Sequence, residues 1–293
     1  MASIALRPSF RGAVRGEALK LSRQLSFWLS LAGATLLLGV IVLAISGAEN
    51  LKPLLLSDPT QWAYDKLETF GTVFQIGSGI FILLFGARLL GMEYSAGTIR
   101  ILYARGTGRL QLLLAKMLTL AVVGVALLVG FTVLVGAILA LMILALSGSF
   151  DPIQHISSAF WADVGRWALV QGISIVVAIL LVGAAAAVGR SLAFAIAAAL
   201  AFYPVDNFLN ILLILGIRAT GHTQPWTAIS QYQLGANLNV VLGLLEPSHR
   251  ARPAFAQPLA AVDATHALLV IGTYALVFAV IAVVRTVRPD VLE

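Results

Sequence analysis

Two groups of polar residues stand out in an otherwise apolar chain. One centres on Glu93, an acid among bases, with Arg88 before it and Arg100, Arg105, Arg109 and Lys116 after it. The other is Pro204, Asp206, Asn207 and Asn210, which fall within two helical turns inside the apolar run 192–217. The first group offers a hydrogen bond or charge pair for Glu93 at the base of a short segment, either with Arg100 or with the amino-terminal helix. The second offers recognition chemistry, because an ionisable group inside an apolar run is costly and by default marks a functional position. Weaker candidates of the second kind are Gln75, Ser78, Gln171 and Ser174. Such residues more often bond between helices than bind a ligand.

Catalysis finds no support in these residue types. There is no cysteine, so no thiolate nucleophile and no thiolate metal site. The four histidines, His155, His222, His249 and His266, lie apart from one another with no metal-ligand spacing. The sequence contains no G-x-x-x-x-G-K-[ST] phosphate loop, no H-E-x-x-H and no G-x-S-x-G. Nor do two acids share an apolar run, as an intramembrane aspartyl protease would need. The expectation is a non-catalytic chain with no catalytic residue, no metal and no cofactor of its own.

The elements that must position these residues follow from composition. Of 293 residues, 60% are hydrophobic and only 11% charged, with mean hydropathy +0.96. A soluble domain has about 25% charged residues. This chain could not coat a water-facing surface of its own size, so bilayer rules apply. About 20 helical residues cross a membrane core, and six runs reach that length: 27–46, 70–90, 117–146, 167–188, 192–217 and 267–284. The expected fold is all-α, a single membrane domain over 1–293 with six transmembrane helices.

Charge placement orients the bundle. With an even number of spans both termini share a side, and with them lie thirteen bases but only four acids, Glu17, Glu93, Asp290 and Glu293. The other side holds six bases and nine acids. The positive-inside rule makes the first side cytoplasmic, so the net charge of +6 describes topology and does not point to nucleic acid. A cleavable signal peptide is the alternative for the first run, but its basic leader and its apolar length both exceed the usual form.

Residues 1–26 are amphipathic. Phe10, Val14, Ala18, Leu21 and Leu25 form one stripe and Arg7, Arg11 and Arg15 another. This predicts a helix lying in the cytoplasmic interface; a plain basic topogenic tail is the other reading. Within 91–116, residues 94–104 carry Ile99, Leu102 and Tyr103 at helical spacing and end at Gly106 and Gly108. A short amphipathic helix there would lie flat on the membrane surface and offer a knob to a cytoplasmic partner.

The stretch 90–118, LGMEYSAGTIRILYARGTGRLQLLLAKML, resembles the corresponding loop of ABC-2 type (type-2 exporter) ABC transporter permeases. Glu93, Gly97, Thr98, Leu102, Arg109 and Lys116 match that pattern, while Gly106-Thr107-Gly108-Arg109 stands where the family often has Pro-x-Ser-Arg. The resemblance extends to the interfacial amino-terminal helix, the six spans and the large outer loop. It implies a permease subunit that pairs with a second copy or a paralogue and moves a substrate across the cytoplasmic (inner) membrane. ATP and Mg would be held by a separate ATP-binding cassette subunit, in keeping with the missing phosphate loop. It further implies that 94–104 is the coupling helix, with Glu93, Tyr94, Gly97, Thr98, Arg100, Leu102, Arg105 and Arg109 coupling to the ATPase. The basic members also serve topology, but Glu93 and Thr98 are not explained by that rule.

The pathway candidates are Asp206, Asn207, Asn210, Gln75 and Gln171, with Pro204 as a kink. Either the span runs on through Pro204, or it ends near Tyr203 and 208–217 is re-entrant. The outer loop 218–265 is too long for a simple connection. It either caps an exit or anchors at the interface through Trp226 and Tyr232. An ion-coupled secondary transporter or channel is the main alternative class, and a non-transporting scaffold or sensor the next. The first would show inverted repeats and ionisable groups at the midplane. No clear repeat is visible, and Asp206 is the one candidate acid.

Overall fold

The computed structural model describes residues 9–48, 51–104, 106–245 and 256–288. Arg7, Glu49, Arg105, Glu246, Arg250, Arg252, Asp290 and Glu293 lie outside the described residues, as does the side chain of Arg100. Every regular element among the described residues is a helix. Helix α1 (Phe10–Ser22) is capped by Ser9, whose Oγ accepts from Gly12 N at 3.1 Å. It turns into α2 (Leu25–Ala48). Trp28 Nε1 donates to Ser22 O across the bend at 2.7 Å, and the Phe27 ring meets Phe81 and Phe85 edge-on at 5.5 and 5.3 Å. After α3 (Leu51–Ser57), Asp58 and Pro59 start α4 (Pro59–Ser95), an N-cap followed by a proline in the first turn.

Next come α5 (Thr98–Ala104), α6 (Arg109–Ser147), α7 (Asp151–Gln154), α8 (Ser158–Gly189) and α9 (Leu192–Thr220). The chain closes with α10 (Gln224–Ser230), α11 (Leu234–Leu245) and α12 (Ala264–Val287). Five helices, α4, α6, α8, α9 and α12, are long and apolar enough to cross a membrane. The segments Phe10–Ser22 and Leu25–Ile41 meet at 64°, and counting them together gives up to six. Each of the six apolar runs lies within a helix, but α4 and α6 are longer than their runs. At 37 and 39 residues they extend well beyond a bilayer core of about 30 Å. Apolarity marks where lipid can lie, whereas caps and glycines mark where the helix stops.

Helix α8 forms the centre, packed between α4, α12, α6 and α9, and its run Val182–Ala187 is buried. Small residues permit this closeness: a Cβ on Gly86 would stand 2.6 Å from Val182 Cγ1, and one on Gly124 2.5 Å from Ile175 Cγ2. Not every span glycine packs this way: a Cβ on Gly77, Gly79 or Gly130 would meet no atom within 4 Å. At one end of the bundle Leu192 N donates to Ser95 Oγ and Arg109 Nη1 to Arg288 O, so α4, α6, α9 and α12 meet there. At the other end Tyr64 Oη donates to the fully buried Asp163 at 2.6 Å, and Arg166 pairs with the same carboxylate.

Helix α11 is the main departure from expectation in 218–265. Leu234, Leu238 and Val241 are buried in the same core as α8 and α12, so this part of the loop inserts into the bundle and does not lie over it. Its 12 residues are too few to cross a membrane. By contrast α9 runs unbroken through Pro204, the continuous alternative for that span.

Candidate functional site

At the Glu93 end, four charged side chains from three helices form one network. Lys116, near the start of α6, donates to Glu17 Oε2 at 2.7 Å and Leu89 O at 2.9 Å and forms an ion pair, without a hydrogen bond, with Glu93 Oε2 at 3.1 Å. Lys20 pairs with Glu17 Oε1 at 3.0 Å and Glu93 Oε1 at 2.5 Å. Two ammonium groups and two carboxylates make the quartet neutral. Lys116, Glu17 and Glu93 have only 3%, 6% and 10% of their side chains exposed, while Lys20 is half-exposed. Desolvation of Lys20 works against its charge, but the hydrogen bonds it donates to Glu93 and Glu17 prevail and hold it above the usual lysine value.

Glu93 thus pairs with the amino-terminal helix, one of its two expected partners, and with Lys116. The apolar stripe of α1 is split as a consequence. Glu17 and Leu21 face inward, whereas Phe10, Ala18 and Leu25 are exposed. Glu17 and Lys20 were missed from the sequence. A signal existed for Glu17, the one acid in a leader otherwise basic.

The short segment after Glu93 differs from the expected 94–104. Helix α4 carries Tyr94 in its last turn, Gly97 takes φ +66°, and α5 begins at Thr98. A left-handed conformation there suits glycine. Tyr94 hydrogen-bonds Tyr103 across the break, and the Arg109 guanidinium lies over the Tyr103 ring at 5.3 Å. Burial first, then the neighbouring Tyr94, pushes the Tyr103 phenol up to about 12 against the pull of Arg109. Helix α5 is therefore braced to both α4 and α6. Thr98 and Ile101 are exposed on it, and Leu102 is half-buried. Arg88 Nη1 adds a bond to Ser26 Oγ at 2.9 Å, tying α4 to the start of α2.

The second group separates. Asp206 Oδ2 accepts from Gly235 N at 2.7 Å and the carboxylate also engages the amides of Leu234 and Ala236. These are the first residues of α11, so Asp206 caps that helix from outside its own chain segment. Gln233 Nε2 donates to the Asp206 carbonyl at 2.9 Å. Asn210 is buried and donates to Gln257 O at 2.7 Å. Asn207 donates to Tyr203 O at 2.8 Å and, unlike Asp206 and Asn210, borders a cavity of ≈ 510 Å³ between α4, α8, α9 and α11. Gln75 also lines it and reaches Asn239 Oδ1 at 3.4 Å. Gln171 is buried away from the cavity. Asn239 on α11 was missed, because its approach to Gln75 depends on a long-range insertion that no local pattern reports.

A family model described as "ABC-2 family transporter protein" matches residues 13–206, which include the whole quartet, α5 and Asp206. No curated protein and no solved structure matches the chain.

Proposed function

The chain belongs to the ABC-2 transporter family, and on that premise we propose that it is the permease subunit of an ATP-driven exporter. It is a multi-pass membrane protein whose family implies an ATP-binding cassette partner. In this reading ATP and Mg belong to that partner and this chain is non-catalytic. Six spans cross the cytoplasmic membrane, counting α2 as the first. Both termini and 91–116 face the cytoplasm, α1 lies in the interface, and two permease chains, identical or paralogous, work together.

The observation that carries the reading is the quartet at the root of α5. A partner pressing on α5 meets the exposed Thr98 and Ile101. The push passes through Tyr103 to Tyr94 on α4 and to Arg109 on α6. One residue before Tyr94, Glu93 locks α4 to α1 and α6 through Lys20 and Lys116. A buried network of this kind resists shear, because separating any pair leaves a charge uncompensated. The three helices then move as one lever. Against an ion-coupled carrier stands the engagement of Asp206, the one candidate acid, in capping α11.

The test is to purify the chain from its native membrane and ask whether a phosphate-loop ATPase comes with it. In that complex Glu93→Gln should keep ATP hydrolysis while transport per ATP falls several-fold. A purified chain that transports unaided, or a Glu93→Gln complex with unchanged coupling, overturns the reading.

A further inference from the structure

We propose that the cavity between α4, α8, α9 and α11 binds a neutral amphiphile, an alkyl or ring body bearing a hydroxyl or amide head, which enters from the plane of the bilayer. As a binding site this stands on the geometry of the cavity; as the site of the exporter's cargo it rests on the permease reading.

Size comes first. The ≈ 510 Å³ volume falls within the roughly 300–1,000 Å³ of small-molecule sites. Most of the wall is apolar, with Leu83, Ile175, Ala178, Leu200 and Leu238 among its residues. Among the described residues, no charged side chain lines it. The nearby acid, Asp206, is turned into the backbone of α11 at Gly235. A charged head would therefore lose its hydration without meeting a counter-charge, which an apolar site does not tolerate.

The polar groups that do border the cavity are incompletely used. Ser174 Oγ and Asn207 Oδ1 are buried with no hydrogen-bond partner, and the Gln75–Asn239 contact is long at 3.4 Å. Orphaned polar atoms are rare and costly where no water reaches them. A hydroxyl can donate to Asn207 Oδ1 or accept from Ser174 Oγ, so a hydroxyl head can satisfy either orphan. The mouth is also legible. Ile76, Ile80 and Pro204 line the cavity and are exposed, which opens it between α4 and α9 at the side of the bundle. Asn207 lies roughly 22 Å along α9 from Leu192 at 1.5 Å per residue, so the opening is at membrane depth.

The experiment uses the full chain in phosphatidylcholine nanodiscs and three photoreactive probes with one tail: diazirine-bearing octanol, octanoic acid and octylamine. Octanol should label peptides of α4, α8, α9 and α11 several-fold more than the acid or the amine at equal membrane concentration. Gly79 lines the cavity and has no atom within 4 Å of a Cβ, so Gly79→Phe has room to fill it and should abolish that preference. Gly77 is equally open but does not line the cavity, so Gly77→Phe should leave labelling unchanged. Ser174→Ala removes a hydroxyl that bonds to nothing among the described residues and should lower octanol labelling several-fold with thermal unfolding unaltered. Equal labelling by the three heads, or labelling that survives Gly79→Phe, overturns the proposal. Labelling needs no ATPase, so a failed permease reading shows separately as a missing or unresponsive partner. In an ATPase complex that remains coupled, absence of octanol-stimulated hydrolysis overturns the cargo assignment.

Discussion

Lys116 Nζ and Glu17 Oε2 lie 2.7 Å apart although 99 positions separate them in the chain. That contact joins the amino-terminal helix to the root of α6, and Glu93 completes it from the end of α4. The three helices that meet the short α5 segment, directly or through one neighbour, thus share one charge network.

Removing one member of the network should cost more than removing a matched pair. Lys116→Met leaves the nearly buried Glu17 and Glu93 with Lys20 alone to compensate both, a loss of up to about 3–5 kcal/mol as for a broken buried pair. Adding Glu17→Gln should restore part of that loss. Thermal unfolding of the two single variants and the double variant in detergent gives the coupling directly. Additive losses would mean that the pair does not interact.

Alkaline pH should loosen the same region. Lys20 is held above its usual value in the folded chain. Its contribution is therefore intact below the ordinary lysine value, about 10.4, and disappears as pH climbs through the raised folded value. Tyr103, pushed up to about 12, acts in the same direction, since the unfolded phenol loses its proton first. Unfolding temperature should fall above about pH 10, with a shallower slope in Lys20→Met and in Tyr103→Phe. An unchanged slope in both variants would contradict this account.

Seating of α11 should depend on Asp206. A Cβ on Gly235 would stand 2.5 Å from Asp206 Oδ2, so Gly235→Ala must displace the cap. Losing a cap typically costs about 1 kcal/mol. Hydrogen exchange of the α11 amides should accelerate in Gly235→Ala and Asp206→Ala, and less in Asp206→Asn, which keeps an acceptor. Equal exchange in all three and the parent would show that α11 is held by its buried leucines alone.

Close packing at α8 gives a contrast on α4. Gly86→Leu drives a side chain into Val182 and Leu120 and should destabilise by about 1–3 kcal/mol, as overpacked cores do. Gly77→Ala meets nothing within 4 Å and should be near neutral or mildly stabilising. Paired melting curves decide it.

The helices were legible because crossing lipid imposes length and apolarity on consecutive residues, and all six apolar runs lie in helices. Glu93 was legible as an exception, an acid on a basic side, and pairing with the amino-terminal segment was one of its two expected outcomes. Its partner Lys116 was seen as one of the surrounding bases and as part of a motif, not as the residue Glu93 would pair with. Which lysine meets which glutamate depends on how α1 lies across α6, and side-chain spacing within either helix does not encode that. Asp206 illustrates the same limit. An acid in an apolar run looks like a ligand until α11 folds back and presents its amides, a contact 29 residues away. Burial of α11 against α8 and α12 is likewise a tertiary choice.

The central claim, that force from an ATP-binding partner enters through α5, is tested most directly by a single cysteine on that helix. The chain has no cysteine, so Ile101→Cys gives one exposed thiol. In the assembled complex a short thiol-to-amine cross-linker should join that position to the ATPase, and a maleimide that cannot cross membranes should reach it only from the cytoplasmic side. Labelling from the opposite side, or cross-linking to no ATPase in a complex that transports, would contradict the account.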